Sequence, residues 1–288
     1  MNSRDQGMIF GLMGVLVFSA SLPATRAAVG GFDPWFLTGA RASIAALIGM
    51  WPLLLTRQPL PRLKDLGGLA LAGCCVVVGF PLLSSMAMQH MTAVHGLLFS
   101  ALLPLATATF GVLRGGERPR PAFWIFALSG SAVVAGFAII VNGSGGGSVI
   151  GSALMLAAVT VCGLGYAEGA RLSRQLGGWQ VICWALLLMS PFMLALSVFA
   201  MPATFIGIAA PAWVGLGYVS LFSMLIGFFF WYHGLALGGT ASVGQLQLLQ
   251  PLLGLVVAGQ LLHEAVSSVV VLAIIGVLVC VAGARRFA

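Results

Sequence analysis

Charge is what this 288-residue sequence has least of. Asp, Glu, Lys and Arg make up 7% of it, against roughly 25% in an ordinary soluble domain, and only six residues are acidic. Nineteen charged side chains cannot give a soluble fold of this size a polar surface, which excludes a cytosolic enzyme. Cysteine is sparse as well. Cys74, Cys75, Cys162, Cys183 and Cys280 all lie in apolar stretches without metal-ligand spacing, and adjacent Cys74 and Cys75 are poor disulfide partners. A secreted disulfide scaffold is excluded, and the five read as small apolar packing residues. There is no Gly-x-x-x-x-Gly-Lys loop, which excludes ATP-driven pumping within this chain. No Gly-x-Ser-x-Gly marks a serine nucleophile, and Asp5, Asp33 and Asp65 fall in tails or loops, away from any intramembrane aspartyl pair. An intramembrane hydrolase therefore has nothing to work with.

What is present is apolar: 60% of residues are hydrophobic and the mean hydropathy is +1.09, which also excludes a disordered chain. A bilayer span takes about 20 apolar residues. Ten apolar runs fall between breakers, near 7–27, 34–55, 66–88, 92–113, 121–141, 149–169, 179–200, 209–232, 240–262 and 267–284. The first resembles a signal peptide, with Ser19-Ala20-Ser21 as a cleavage site, but it is long for one and reads as a span. With ten spans both tails share one side, and eleven of the thirteen basic residues fall on that side, Arg57, Arg62, Lys64, Arg114 and Arg118 among them. Basic loops are cytoplasmic, so both termini are expected inside a bacterial inner membrane. The net charge of +7 punctuates the apolar runs and never builds one face, which argues against a nucleic-acid partner. Trp35, Trp51, Trp124, Trp179, Trp213 and Trp231 stand near span ends, as an interfacial aromatic belt would. Gly7-x-x-x-Gly11, Gly111-x-x-x-Gly115, Gly165-x-x-x-Gly169 and Gly234-x-x-x-Gly238 predict tight helix packing.

Asn142–Ser148 is a Gly/Ser linker near the midpoint, with five runs on each side. The halves match. Leu102, Pro104, Leu105 and Glu117 recur 147 positions later as Leu249, Pro251, Leu252 and Glu264. Thr92-Ala93 recurs as Thr240-Ala241, and Trp35 as Trp179. Five is odd, so a duplicated unit must lie in the membrane upside down. The expected fold is an all-α membrane protein: ten transmembrane helices in two inverted five-helix repeats, 1–141 and 149–288, around a central cavity. Two such halves can open a central site to either side in turn, which favours a secondary transporter over a scaffold or channel.

These features, with Arg41 in Phe36-Leu37-Thr38-Gly39-Ala40-Arg41, resemble the drug/metabolite transporter superfamily of EamA type over essentially the whole chain. Within it the chain is most similar to YddG-type bacterial exporters. That resemblance implies export of aromatic and other neutral amino acids. One departure is visible: aligning Trp35 with Trp179 puts Ala185 opposite Arg41, so the second half lacks that arginine.

Ionisable groups inside a span are functional candidates by default. Arg41 lies about 10 Å from the outer end of its helix, at 1.5 Å per residue. It can line an outward vestibule and attract a carboxylate, or snorkel to the interface, the favoured reading. Arg26 is nearer the surface and reads as snorkelling. Glu168 is either an i,i+3 partner of Arg171 at the cytoplasmic interface or a gate charge. Glu117 and Glu264 read as helix caps facing a positive dipole. The ninth span carries Gln245, Gln247 and Gln250 beside Pro251; Gln245 is favoured for the cavity, and Gln247 and Gln250 lie on another face. A site for an amino acid with a large apolar side chain needs an apolar pocket with a few polar groups. Phe80, Phe99, Trp231 and Leu249, with Ser19, Ser84, His95, Tyr166 and Gln245, are the candidates.

No cofactor, metal or nucleotide is expected; the partners are a small-molecule substrate and the bilayer, and the oligomeric state stays open. The alternative function is export of another metabolite or drug-like solute, possibly proton-coupled. A cation exporter wants a mid-membrane carboxylate and a sugar-phosphate carrier wants several cavity cations, and neither pattern is present. With no intramembrane aspartate, Glu168 near a helix end and a single His95, facilitated transport is expected. The topology is directly testable. Reporters fused at Gly145 and at the C-terminus should report opposite sides, the first outside and the second inside. Matching sides would remove both the span count and the inversion.

Overall fold

With no water in the hydrocarbon layer, backbone N–H and C=O groups must pair within the chain, and a helix does so locally. The computed structural model describes residues 2–115, 120–122, 124–126, 128–130, 132–133, 136, 148–264, 266–285 and 287. Among them there is no strand. In chain order the helices are α1 (Ser3–Ser19), α2 (Ser21–Ala28), α3 (Pro34–Leu55), α4 (Leu63–Gly73), α5 (Phe80–His90), α6 (Ala93–Ser100) and α7 (Leu103–Gly115). There follow α8 (Val149–Leu176), α9 (Gly178–Phe199), α10 (Ala210–Tyr218), α11 (Gly227–Gly238), α12 (Thr240–Gly244), α13 (Leu249–Leu261) and α14 (Ser268–Arg285). Wider π-type turns join α4 to α5 (Cys74–Gly79) and α10 to α11 (Val219–Ile226), and a 3₁₀ turn (Gln245–Leu248) joins α12 to α13. Seven helical stretches among the described residues are long and apolar enough to cross a bilayer: Asp5–Ala28, Pro34–Leu55, Leu63–His90, Ala93–Arg114, Val149–Leu176, Gly178–Phe199 and Ala210–Gly238. Two apolar helices, Leu246–Leu261 and Ser268–Cys280, are shorter. About half of the run expected at 121–141, and all of the linker 142–148 except Ser148, lie outside the described residues.

Three interruptions share a chemistry. α1 gives way to α2 at Ala20, α6 to α7 at Ala101–Leu102, and α12 to α13 through the 3₁₀ turn. Each lies within a turn before Pro23, Pro104 or Pro251. Proline offers no N–H to the carbonyl four residues back, and its ring crowds that carbonyl. Pro52 and Pro191 sit inside α3 and α9 without breaking them, so proline permits an interruption rather than dictating one. α8 runs seven residues past its expected end at 169, because the stretch carrying Arg171 and Arg174 stays helical until Gly177, whose φ of 94° no other residue adopts readily.

Lipid tails are as apolar as leucine, so helices associate in a membrane by close packing. Here two of the glycine motifs meet each other. Gly7-x-x-x-Gly11 on α1 faces Gly234-x-x-x-Gly238 on α11. A Cβ at Gly7 would sit 2.5 Å from the Gly238 nitrogen, and one at Gly234 would sit 2.6 Å from the Gly11 nitrogen. On α8, Gly165 abuts Cys75 and Val76 of the first π turn, and Gly169 abuts the Tyr232 ring. α3 lies along α9, with Gly39 against the backbone of Met193 and Ser197. Outer faces present Leu47, Leu55, Phe192 and Phe199, as a lipid-facing surface should. Trp35, Trp51 and Trp213 are exposed, in keeping with an aromatic belt. Trp231 corrects that expectation: it is fully buried, because α11 turns it onto α1 and α8.

If contact at Gly234 sets the α1–α11 distance, Gly234→Ala should destabilise by about 1–3 kcal/mol through overpacking. Gly217→Ala, which meets nothing within 4 Å, should be neutral or slightly stabilising. Thermal unfolding in detergent reads both. Equal midpoints would show that the interface relaxes at no cost.

Candidate functional site

Four constellations of buried polar or aromatic groups lie between helices from both sides of the linker. The first surrounds Glu168 on α8, whose side chain is 0% exposed. Its Oε1 accepts from Arg171 Nη2 at 2.5 Å, and its Oε2 accepts from Arg114 Nη2 at 3.1 Å and Nε at 3.3 Å. The expected i,i+3 pair is present, and Arg114 at the end of α7 completes it from across the sequence. Gly68 on α4 closes over the carboxylate: a Cβ there would lie 2.7 Å from Oε1 and 2.9 Å from Arg171 Nη2.

The second constellation surrounds Glu264. Its two oxygens accept from the backbone N–H groups of Ala93 (3.0 Å) and Val94 (2.9 Å), the first residues of α6. A carboxylate there meets unsatisfied donors and the positive end of the helix dipole. The helix served is α6, 171 positions earlier, rather than the next in sequence. Arg26 Nε stands 3.9 Å from Glu264, and Arg26 Nη1 donates to the Met88 carbonyl. Arg26 is thus engaged with protein groups while its side chain stays 39% exposed. Ala93 opens and Arg114 closes one helical stretch, so the two charged constellations grip its opposite ends, roughly 30 Å apart at 1.5 Å per residue.

Between those ends lies Arg41, and here the favoured expectation fails. Arg41 does not snorkel; it is 3% exposed on α3. Its Nη2 donates to Ser223 Oγ (3.3 Å) in the second π turn, and Ser223 Oγ also accepts from Ser21 Oγ on α2 (2.8 Å). That bond holds the guanidinium inward, across the helix bundle. Arg41 Nε has no hydrogen-bond partner among the described residues.

The fourth constellation is aromatic. Phe18 (α1), Tyr166 (α8), Phe228 and Trp231 (α11) pack with ring centroids 5.2–6.4 Å apart. Trp231 Nε1 is buried without a hydrogen-bond partner among the described residues. Tyr232 donates to the Gly165 carbonyl at 3.2 Å. Of the residues proposed from sequence for substrate contact, the fold brings Tyr166 and Trp231 together here. The others are placed differently. Ser19 and Ser84 donate to Leu16 and Pro81 carbonyls of their own helices, at 2.7 and 3.2 Å. Phe99 is buried on α6, Phe80 is half-buried at the start of α5, and half-buried His95 donates its backbone N–H to Thr92 Oγ1. Leu249, at the start of α13, is exposed. Gln245 opens the 3₁₀ turn; its side chain lies outside the described residues. Its neighbour Gln247 is fully buried, and neither atom of its amide has a partner among the described residues. Phe18 and Ser223 drew no attention in the sequence, and Arg114 counted there only as one of the basic residues on one side of the membrane. Phe18 is one apolar residue in an apolar run, and the other two act across long separations.

Comparison with known proteins bears on this arrangement. The profile of the EamA-like transporter family matches residues 5–141 and again 149–285. A Bacillus subtilis (strain 168) protein named "Uncharacterized transporter YdeK" is 59% identical over 288 residues, covering 100% of both chains. A Streptantibioticus cattleyicolor protein named "Probable terminal-alkyne amino-acid exporter" is 30% identical over 252 residues, covering 85% of this chain and 81% of its own. A solved crystal structure, 20% identical, covers 99% of this chain and 100% of its own with a TM-score of 0.72, a likeness of fold.

The Glu168 constellation predicts an asymmetric response. Arg114→Ala leaves Arg171 in place and should cost about 1.5–3 kcal/mol, the worth of hydrogen bonds to a charged group. Removing both arginines strands a buried carboxylate and should cost about 3–5 kcal/mol. Glu168→Gln should cost less than that pair, since both arginines are over 40% exposed and rehydrate. A denaturation series in detergent would show the order, and equal losses for all three would remove the shared carboxylate from the account.

Proposed function

The chain belongs to the EamA-like transporter family, a multi-pass membrane transporter, and on that premise we propose that it exports neutral amino acids, aromatic ones foremost, by alternating access. In this reading residues 1–141 and 149–288 are inverted five-span repeats joined by 142–148, with both termini cytoplasmic in a bacterial plasma membrane. Several features support the repeat. The π turns begin at Cys74 and Val219, 145 positions apart, and the breaks before Pro104 and Pro251 match at 147. Contacts also exchange: α1 packs on α11 as α8 packs on the first π turn and α5, while α3 pairs with α9 and α6 with α13. Two halves related in this way can swap conformations and so open opposite faces.

The observation that carries the substrate class is the aromatic cluster. It lies between α1, α8 and α11, is built of packed aromatic rings, and holds a buried indole N–H without a partner and, among the described residues, no carboxylate. Such surroundings suit an apolar side chain better than a cation. The amino-acid exporter name of the 30% relative points the same way. Gln245, with Ser19, Phe80, Ser84, His95, Phe99 and Leu249, belongs to the same proposal as groups that other conformations would bring to the path. Arg41 and Glu168 act as vestibule and gate.

Counterflow in proteoliposomes tests the reading. Vesicles loaded with unlabelled phenylalanine should accumulate labelled phenylalanine transiently with no proton or sodium gradient. Leucine and tryptophan should compete and glutamate should not. Uptake that appears only under an imposed pH gradient would overturn facilitation, and counterflow of a drug-like cation in place of any amino acid would overturn the substrate class.

A further inference from the structure

Arg41 presents an unresolved charge. A guanidinium stays protonated under all relevant conditions, and inside a membrane it is retained where an anion or a fixed dipole meets it. Glu168 and Glu264 are already engaged with Arg114, Arg171, Arg26 and the start of α6, and the remaining buried carboxylate, Asp65, stands in the first turn of α4 and makes no ion pair with Arg41 among the described residues. Among the described residues no carboxylate lies within ion-pair distance of Arg41, and its one hydrogen bond goes to a neutral serine. The open atom matters. Nε and Nη2 form the side-on edge of the guanidinium, which matches the two oxygens of a carboxylate. Nε has no partner, and Nη2 is held by a bond long enough at 3.3 Å to exchange readily. Ser223 accepts from both Arg41 and Ser21, so its own O–H has no acceptor among the described residues.

We propose that Arg41, with the Ser21–Ser223 hydroxyl pair, is the anchor for the carboxylate of the transported solute. This rests on the amino-acid reading above and extends it to name the group by which substrates are selected. Position supports it. Ser21 and Ser223 join α2 to the second π turn, and Phe18 and Phe228, 5.2 Å apart, join the flanking α1 and α11. Phe18 precedes Ser21 by three residues, so the backbone positions of the hydroxyl pair and the aromatic pair are offset by just under one helical turn, ~4.5 Å. That is comparable to the reach from the carboxylate of phenylalanine to its ring. The π turn displaces Ser223 from the regular ladder at the point where Arg41 meets it, a distortion common at functional sites. The position aligned with Arg41 in the second half is Ala185, which is buried in the core, so the anchor is single and one carboxylate is held per cycle.

The test uses the intact purified chain in detergent and three probes of one shape: L-phenylalanine, 3-phenylpropionate and 2-phenylethylamine. Tryptophan-fluorescence melting should show stabilisation by both carboxylates and none by the amine at equal concentration, a comparison that needs no variant. Arg41→Gln and Ser223→Ala should weaken 3-phenylpropionate at least tenfold and severalfold respectively, with Arg41→Lys between wild type and Arg41→Gln. Stabilisation by the amine equal to that by phenylalanine would overturn the anchor. So would the absence of any shift with either carboxylate, or unchanged 3-phenylpropionate affinity in a cooperatively melting Arg41→Gln. Undiminished phenylalanine counterflow in Arg41→Gln would remove the anchor and leave the exporter reading standing. Carboxylate binding that depends on Arg41, without amino-acid counterflow, would do the reverse.

Discussion

Hydrocarbon offers nothing to a charge, so each ionised side chain inside this molecule must be met by another group, and the meeting places tie distant helices together. Glu168 binds α8 to α7 through Arg114 and lies against Gly68 of α4, where a Cβ would sit 2.7 Å from its Oε1. Glu264 binds the segment before α14 to the start of α6. Both contacts cross the linker. In a soluble protein such pairs would be one detail among many surface charges; here 7% charge makes each of them a fixed point of the architecture.

The two forces that assemble the bundle act at different ranges. Packing is local and additive. The Gly7/Gly11 and Gly234/Gly238 contact brings two backbones together over a full turn, and α3 does the same against α9. Dispersion of this kind holds helices together without specifying which end is up. The ion pairs add little net energy, because desolvation offsets most of their attraction. They select one register among several that packing alone would tolerate.

The helical segments were legible because unbroken apolar runs have one solution in a bilayer, and the runs predicted at 34–55 and 179–200 agree with α3 and α9 to within a residue. Tight packing at the Gly-x-x-x-Gly motifs was legible too, but not that the first and last of them face each other across 223 positions or more. The breaks were not legible: Pro104 and Pro251 stood out as matching positions of the two halves, inside runs read as unbroken, and the loosening of α1 before Pro23 went unread. Arg41 was misplaced for a plain reason. Seven residues from a helix end is within snorkelling reach, and its inward partner Ser223 is 182 positions away. For Glu168 the local partner was visible and Arg114, 54 positions earlier, was not. Periodicity reports one helix at a time, and the candidate sites here are built between helices.

The helical stretch from Ala93 to Arg114 is mechanically unusual. Its first turn is held by Glu264 and its last residue by Glu168, both from beyond the linker, and it is bent at Ala101–Leu102 where the ladder is interrupted. A rod pinned at both ends transmits any tilt rigidly; an elbowed rod does not. When either pin releases, the free half can swing about the elbow while the other half keeps its seat. On the proposed alternating-access cycle, the proline that looks like a flaw in the helix would let one strut answer to two opposite doors.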